Sequence, residues 1–416
     1  MNDLPRKLRR LGLVKGPREL VGPPSARRTW PQDKALPPGH QVESHLGVCF
    51  YLEKRYPLDH PHGHAPLTSL LAHDPVAAAR MAVEPQPDRF DLRRALFIDT
   101  ETTGLGRGAG VLAFLIGGGY FEDDAFVLRQ YFLRDPAEEP AALHHLAEWS
   151  QAFTGLVSFN GRGFDVPVLQ NRFILSRLRP AILEVPHLDL LHPSRRVWRG
   201  RFDSCRLGTL ERHVLGVQRD QNDVLSWLIP DLYRQYLRGG DNGEMRQVLY
   251  HNAIDILSLV VLAERLCRLF ADPLADDIDP REQAALARWL QTLDLPTQAE
   301  AAYRAALDGV LPPTVQRASL QYLAILLKRQ DRRAEAAPLW MQWALEDESQ
   351  IEAQVELAKF YEWHQVDLQK ALAWTEQALG IVAKWTRGLH REEAAATLNH
   401  RRARLKRKID KSLSNE

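Results

Sequence analysis

Short apolar, β-rich runs alternate with polar breaks at residues 95–100, 113–121 and 125–133. Acidic Glu122-Asp123-Asp124 separates the second run from the third like a hairpin turn, so the spacing predicts an antiparallel three-stranded start. A helical pattern then covers 138–153, a strand 156–159, a helix 166–178 and a short strand 187–191, with further helices beyond. Strands that first pair antiparallel and then alternate with helices predict an α/β unit over 91–270. It would be a mixed sheet, its first three strands antiparallel, flanked by helices.

On either side the pattern changes. Residues 1–90 are rich in Pro, Arg and His, with one strand-like run at 47–52 and a Pro- and Ala-rich stretch at 75–87, and they read as an irregular N-terminal extension and linker. His60, His62 and His64 alternate through a loop with no Cys or carboxylate pair to complete a metal site, so a solvated loop is expected. An acidic, Pro-containing segment at 272–280 marks the next boundary, and the chain after it is almost wholly helical. Ala324, Ala337, Trp340 and Ala344 recur as Ala358, Ala371, Trp374 and Ala378, each 34 residues later. That period belongs to tetratricopeptide-type helix pairs, and a plain helical bundle is the alternative. All-α, tetratricopeptide-like repeats are therefore expected over 281–385, and a basic helical or disordered tail over 386–416 whose Arg401 to Lys408 form a solvated helix end.

Composition narrows the class. A chain of 416 residues, 45% hydrophobic and 26% charged, is too long for one ordinary core and too apolar for disorder. Its net charge of +1 makes any phosphate-binding surface a local matter. Three scattered cysteines give neither a disulfide framework nor a Cys-based zinc site, and the longest apolar stretch, 256–263, falls far short of the roughly 18 residues of a membrane span. Charged residues open the chain with no apolar segment behind them, so a cytoplasmic protein without membrane contact is expected.

The informative segment is Phe97-Ile98-Asp99-Thr100-Glu101-Thr102-Thr103-Gly104. Side chains two apart on a strand share a face, so Asp99 and Glu101 point the same way, where their repulsion invites a hard cation such as Mg²⁺ or Mn²⁺. A solvated strand end is the alternative. Gly106, Gly108 and Gly110 suggest a flexible loop beside the pair rather than a nucleotide loop, and Gly117-Gly118-Gly119 marks a close backbone approach or a bulge within a strand. Asp165, just before Val166-Pro167, reads as a helix cap or a ligand, and Asp255 lies between Ile254 and Ile256 where an unpaired charge needs a cation or a strong partner.

The Asp99-to-Gly104 string resembles the first motif of the DEDD 3′-to-5′ exonucleases. Asn160-Gly161-Arg162-Gly163-Phe164-Asp165 is similar to their second motif, and Asp255 after Tyr250 and His251 to their third. More narrowly, the run from His187 to Trp198, Leu207-Gly208-Thr209-Leu210-Glu211 and Ile229-Pro230 resemble the YprB-type ribonuclease H-like family. The resemblance implies a ribonuclease H-like fold and phosphodiester hydrolysis with two ions, Mg²⁺ or Mn²⁺. Asp99 would bridge both, Glu101 and Asp255 would complete one site, and Asp165 would support the other. Asp189 is left as a structural group.

In the family a Tyr stands four residues, or a His five residues, before the last Asp; here His251 and Tyr250 are swapped. On a regular helix His251 shares a face with Asp255, and an ordinary imidazole pKa near 6.5 suits proton transfer, so His251 is the expected base and Tyr250 the alternative. Nucleic-acid contacts are expected at Thr102, Gly104, Leu105 and Asn160, and at Arg195, Arg196 and Trp198, where arginines could grip phosphates and the indole stack a base. The expected activity is that of a metal-dependent nuclease acting on single-stranded ends of nucleic acid, with a protein partner on the repeats. The alternative is a repeat scaffold carrying a catalytically decayed domain.

Overall fold

The computed structural model describes residues 36–81, 90–104, 106, 108, 110–220, 223–239, 243–275, 277–346 and 349–413. Strands β1 (His40–Ser44) and β2 (Gly47–Pro57) form a hairpin, followed by the two-residue pair β3 (Pro61–His62) and β4 (Ala65–Pro66) and by helix α1 (Pro75–Met81). Then come β5 (Ala95–Thr102), β6 (Ala113–Phe121), β7 (Ala125–Phe132), α2 (Glu139–Trp149), β8 (Gly155–Ser158), α3 (Asp165–Leu175) and β9 (His187–Asp189). Helices α4 (Leu191–Trp198), α5 (Leu207–Leu210), α6 (Ile229–Leu237) and the long α7 (Gly243–Ala271) complete this half. The sheet runs β1-β2-β7-β6-β5-β8-β9, antiparallel from β1 to β5 and parallel from β5 to β9. This is the expected mixed α/β sheet.

Between residues 36 and 81 the extension is not irregular. β1 and β2 lengthen the sheet by two strands, with Tyr51 opposite Tyr131 and Arg55 opposite Val127. The strand signal in 47–52 stops short because Glu53-Lys54-Arg55 breaks the apolar run. In the fold those charges are satisfied across the sheet, Arg129 pairing with Glu53 at 2.7 Å and Arg55 with Glu122 at 2.7 Å. Nor is the histidine loop solvated as a whole. His62 is buried with Nε2 2.9 Å from the Ser258 hydroxyl on α7, and the His64 amide donates to the Leu215 carbonyl. Expectations within 1–35 and 82–89 lie outside the described residues.

α7 runs against the sheet, its apolar stretch 256–263 fully covered. The approach is close: a Cβ at Gly117 would stand 2.2 Å from Asn252 Oδ1 on α7, and one at Gly119 would stand 2.6 Å from Ile256. Gly118 faces Trp149 on the other side. The glycine triplet thus lets a helix carrying Asp255 lie on the strand beside Asp99.

Beyond α7 the chain is all helical: α8 (Pro280–Thr292), α9 (Pro296–Asp308), α10 (Pro313–Arg329), α11 (Arg333–Glu346), α12 (Glu352–Trp363), α13 (Leu368–Lys384) and α14 (Leu389–Leu413). The recurring alanines are buried in both copies, as Ala324 with Ala358 and Ala337 with Ala371, because a methyl admits a neighbouring helix or ring. α8 serves two cores, since Leu286 and Trp289 pack with α7 whereas Ala287 and Leu290 pack with the later helices. The basic C-terminal segment is helix α14, and it is not merely solvated: Arg401, Arg404 and Lys408 converge on buried Glu362.

Candidate active site

β5 begins fully buried and opens at Asp99, so Asp99 and Glu101 emerge where the sheet core meets a cavity of about 1030 Å³. A register shift against β6 falls between Glu101 and Thr102 and ends regular pairing there. Asp165 and Asp255 reach the same cavity from α3 and α7. Four acids from three distant chain segments therefore share one space.

Each acid is held by neighbours. Asp99 Oδ2 accepts from Asn252 Nδ2 at 2.7 Å, and Asn252 Oδ1 in turn accepts from Gln130 Nε2 at 2.8 Å. Asp165 is the first residue of α3 rather than its cap, and its Oδ1 accepts from the Thr100 amide at 3.1 Å and hydroxyl at 2.5 Å. Asp255 Oδ1 accepts from Arg219, whose guanidinium also grips Glu211 through two bonds of 2.6 and 2.7 Å. Asp189 serves the backbone: it accepts from the amides of Asn160, Arg162 and Leu191, fixing a turn in which Asn160 sits at φ 65°.

Burial pushes Asp99 and Glu101 well above the usual carboxylate range, and the negative charges of Asp255 and Asp165 push both further. Burial lifts Asp165 to about 6 against the opposing hydrogen bonds from Thr100, and Asp255 is also raised by burial, opposed by His251 and Arg219. Carboxyls so raised share a protonation problem that a divalent cation would relieve. The donors are hard oxygens of the kind Mg²⁺ or Mn²⁺ takes, so the set fits such ions. Among the described residues no three side chains already converge as a closed metal cluster. Asn252, Thr100 and Arg219 donate hydrogen bonds to Asp99, Asp165 and Asp255.

His251 faces the acids and Tyr250 does not. His251 Nε2 lies 3.9 Å from Glu101, 3.7 Å from Asp255 and 3.2 Å from the Ser226 hydroxyl, and Nδ1 lies 2.7 Å from Asp223. The Tyr250 hydroxyl instead accepts from the Asp220 amide at 3.2 Å. Arg219 joins this group as well, 3.0 Å from His251 Nδ1 and 3.3 Å from Asp223.

Of the expected nucleic-acid contacts, Thr102, Gly104, Asn160 and Arg195 line the cavity, and Leu105 lies outside the described residues. Arg196 lines a neighbouring groove. Trp198 cannot stack a base: it is 0% exposed and donates its indole N–H to Glu282. Aromatic surface comes from Phe164, 42% exposed at the cavity wall. Sequence reasoning missed Asn252, Arg219 and Asp223, and named Glu211 only as the end of the Leu207-to-Glu211 run. Only Asn252, next to His251 on the same helix, carried a positional hint.

A family model described as the RNase_H superfamily matches residues 96–267. The chain is also 32% identical over 370 residues to "Uncharacterized protein YprB" of Bacillus subtilis, covering 86% of each. The matched domain holds all four acids and most of α7, and the likeness to YprB continues through most of the chain. This chain belongs to the YprB family, with an RNase_H superfamily domain over residues 96–267.

Proposed function

We propose that this chain is a cytoplasmic, divalent-metal-dependent nuclease that shortens single-stranded nucleic acid from its 3′ end, with tetratricopeptide-like repeats presenting a surface to a partner. One observation carries the reading: Asp99, Glu101, Asp165 and Asp255, from β5, α3 and α7, line a single cavity. Two Mg²⁺ or Mn²⁺ ions held there would activate water and neutralise charge on the leaving oxygen. The chain's own groups do the rest. Asn252 and Thr100 fix the Asp99 and Asp165 carboxylates, and Asp223 on Nδ1 turns His251 Nε2, which also meets the Ser226 hydroxyl, toward the acid group, where it would accept a proton. Arg195 and Phe164 at the wall offer a charge for phosphate and a ring for a base.

A scaffold with a decayed catalytic domain draws on a different observation, that the Arg219 cation already bonds Asp255. The experiment that separates them is incubation of a 5′-labelled single strand with Mg²⁺ or Mn²⁺. Stepwise shortening abolished by EDTA supports the nuclease; internal cuts overturn the exonuclease part, and no cleavage supports the scaffold.

A further inference from the structure

Beside the acid cavity lies a second groove of about 780 Å³, bounded by α4 on one side and by α8 and α10 on the other. Arg195 and Arg199 line both spaces, so the two share a wall. We propose that this groove is the track for the part of a single-stranded nucleic acid that lies behind the reacting end, a proposal that rests on the nuclease reading of the cavity.

Charge points to phosphates. The carboxylates at the junction are already committed: Glu282 to Trp198, Arg201 and Arg265, and Asp279 to Arg281. Among the described residues Arg195, Arg196, Arg199 and Arg288 have no carboxylate partner, so the groove keeps a local positive excess in a chain whose net charge is only +1. Two of these arginines are held over rings. The Arg196 guanidinium lies 4.9 Å over Trp289, and Arg288 lies 5.1 Å over the half-buried Tyr322, which stacks on Tyr303 at 6.3 Å. A guanidinium held over an aromatic ring presents both a planar face and a charge, the combination that holds unpaired strands without reading sequence. A mononucleotide would occupy one space only, whereas a strand would span both.

The test is fluorescence anisotropy on the full chain in EDTA, with 5′-fluorescein oligothymidine and oligouridine strands of about five and about twenty nucleotides. The wild type should hold the longer strand much more tightly. Arg196→Ala/Arg288→Ala should weaken long-strand binding roughly tenfold and lower its salt slope by about one, while short-strand affinity stays within about twofold. Arg196→Lys/Arg288→Lys should keep the salt slope. Unchanged long-strand affinity in the alanine variant, parallel weakening of both lengths, or equal competition by polyglutamate would each overturn the track. No divalent ion is present, so hydrolysis plays no part in this ratio. A wild type that cleaves neither strand when Mg²⁺ or Mn²⁺ is added defeats the nuclease reading, and a ratio unmoved by arginine loss defeats the track.

Discussion

Asp223 lies 2.7 Å from Nδ1 of His251, while Nε2 of the same ring faces Glu101 and Asp255 at 3.9 and 3.7 Å. A carboxylate on one ring nitrogen fixes the tautomer that leaves the other nitrogen basic. His251→Ala should therefore lower the rate of strand hydrolysis roughly a hundredfold with metal affinity nearly intact. Asp223→Asn should cost roughly tenfold or more, and Tyr250→Phe little. Single-turnover rates at saturating metal check all three; a damaging Tyr250→Phe would contradict the assignment.

The contact between β6 and α7 depends on a missing side chain. A methyl at Gly117 would stand 2.2 Å from Asn252 Oδ1 and 2.4 Å from Ile256 Cδ1. Gly117→Ala should cost about 1–3 kcal/mol of stability and loosen the Asn252 bond to Asp99, so activity should fall in molecules that remain folded. Denaturant unfolding beside the rate measurement checks this, and an unchanged rate would show that the helix can shift freely.

His62 gives the fold an acid limit. Ser258 donates to Glu211 at 2.6 Å, so its oxygen accepts from His62 Nε2–H. Burial lowers the His62 pKa from 6.5 to about 4, against the attraction of Glu211. The folded state thus resists a proton that the unfolded chain takes up below 6.5. Its stabilising effect is complete above pH 6.5 and is lost as pH falls towards 4, amounting to about 3 kcal/mol. Unfolding free energies at pH 7 and pH 4.5 should differ less in His62→Gln than in the wild type.

The boundary at 272–280 is a composition boundary and not a packing one. Glu282 receives hydrogen bonds from Trp198 and Arg201, and Trp289 packs on Phe270 at 4.3 Å. A chain ending at 279 should be markedly less stable than one ending at 295, which keeps α8. Thermal melts of the two fragments decide it, and equal melting temperatures would show that α8 belongs to the repeats alone.

What was legible in the sequence follows from where the information lies. The alternation in 95–133 is local, so the three central strands and the facing pair Asp99 and Glu101 could be read directly. The all-helical character of the C-terminal part was legible because Ala and Trp recur there at helix-pair spacing. β2 was half hidden by Glu53-Lys54-Arg55, whose partners Arg129 and Glu122 lie far along the chain. Arg219 gave no signal for the same reason: Glu211, Asp223, His251 and Asp255 meet it only in the fold. Trp198 misled because arginines flanking a Trp look like a binding strip, whereas a helical face buries the indole and exposes Arg195 and Arg196.

Asp99, Glu101, Asp165 and Asp255, largely buried and mutually repelling, are proposed to hold a divalent metal. Calorimetric titration of Mn²⁺ into the full chain and into its Asp99→Ala variant tests it most directly. The account predicts saturable binding to the wild type, with Asp99→Ala abolishing or greatly weakening it. Equal affinity in the two proteins, or no binding to either, would contradict the account.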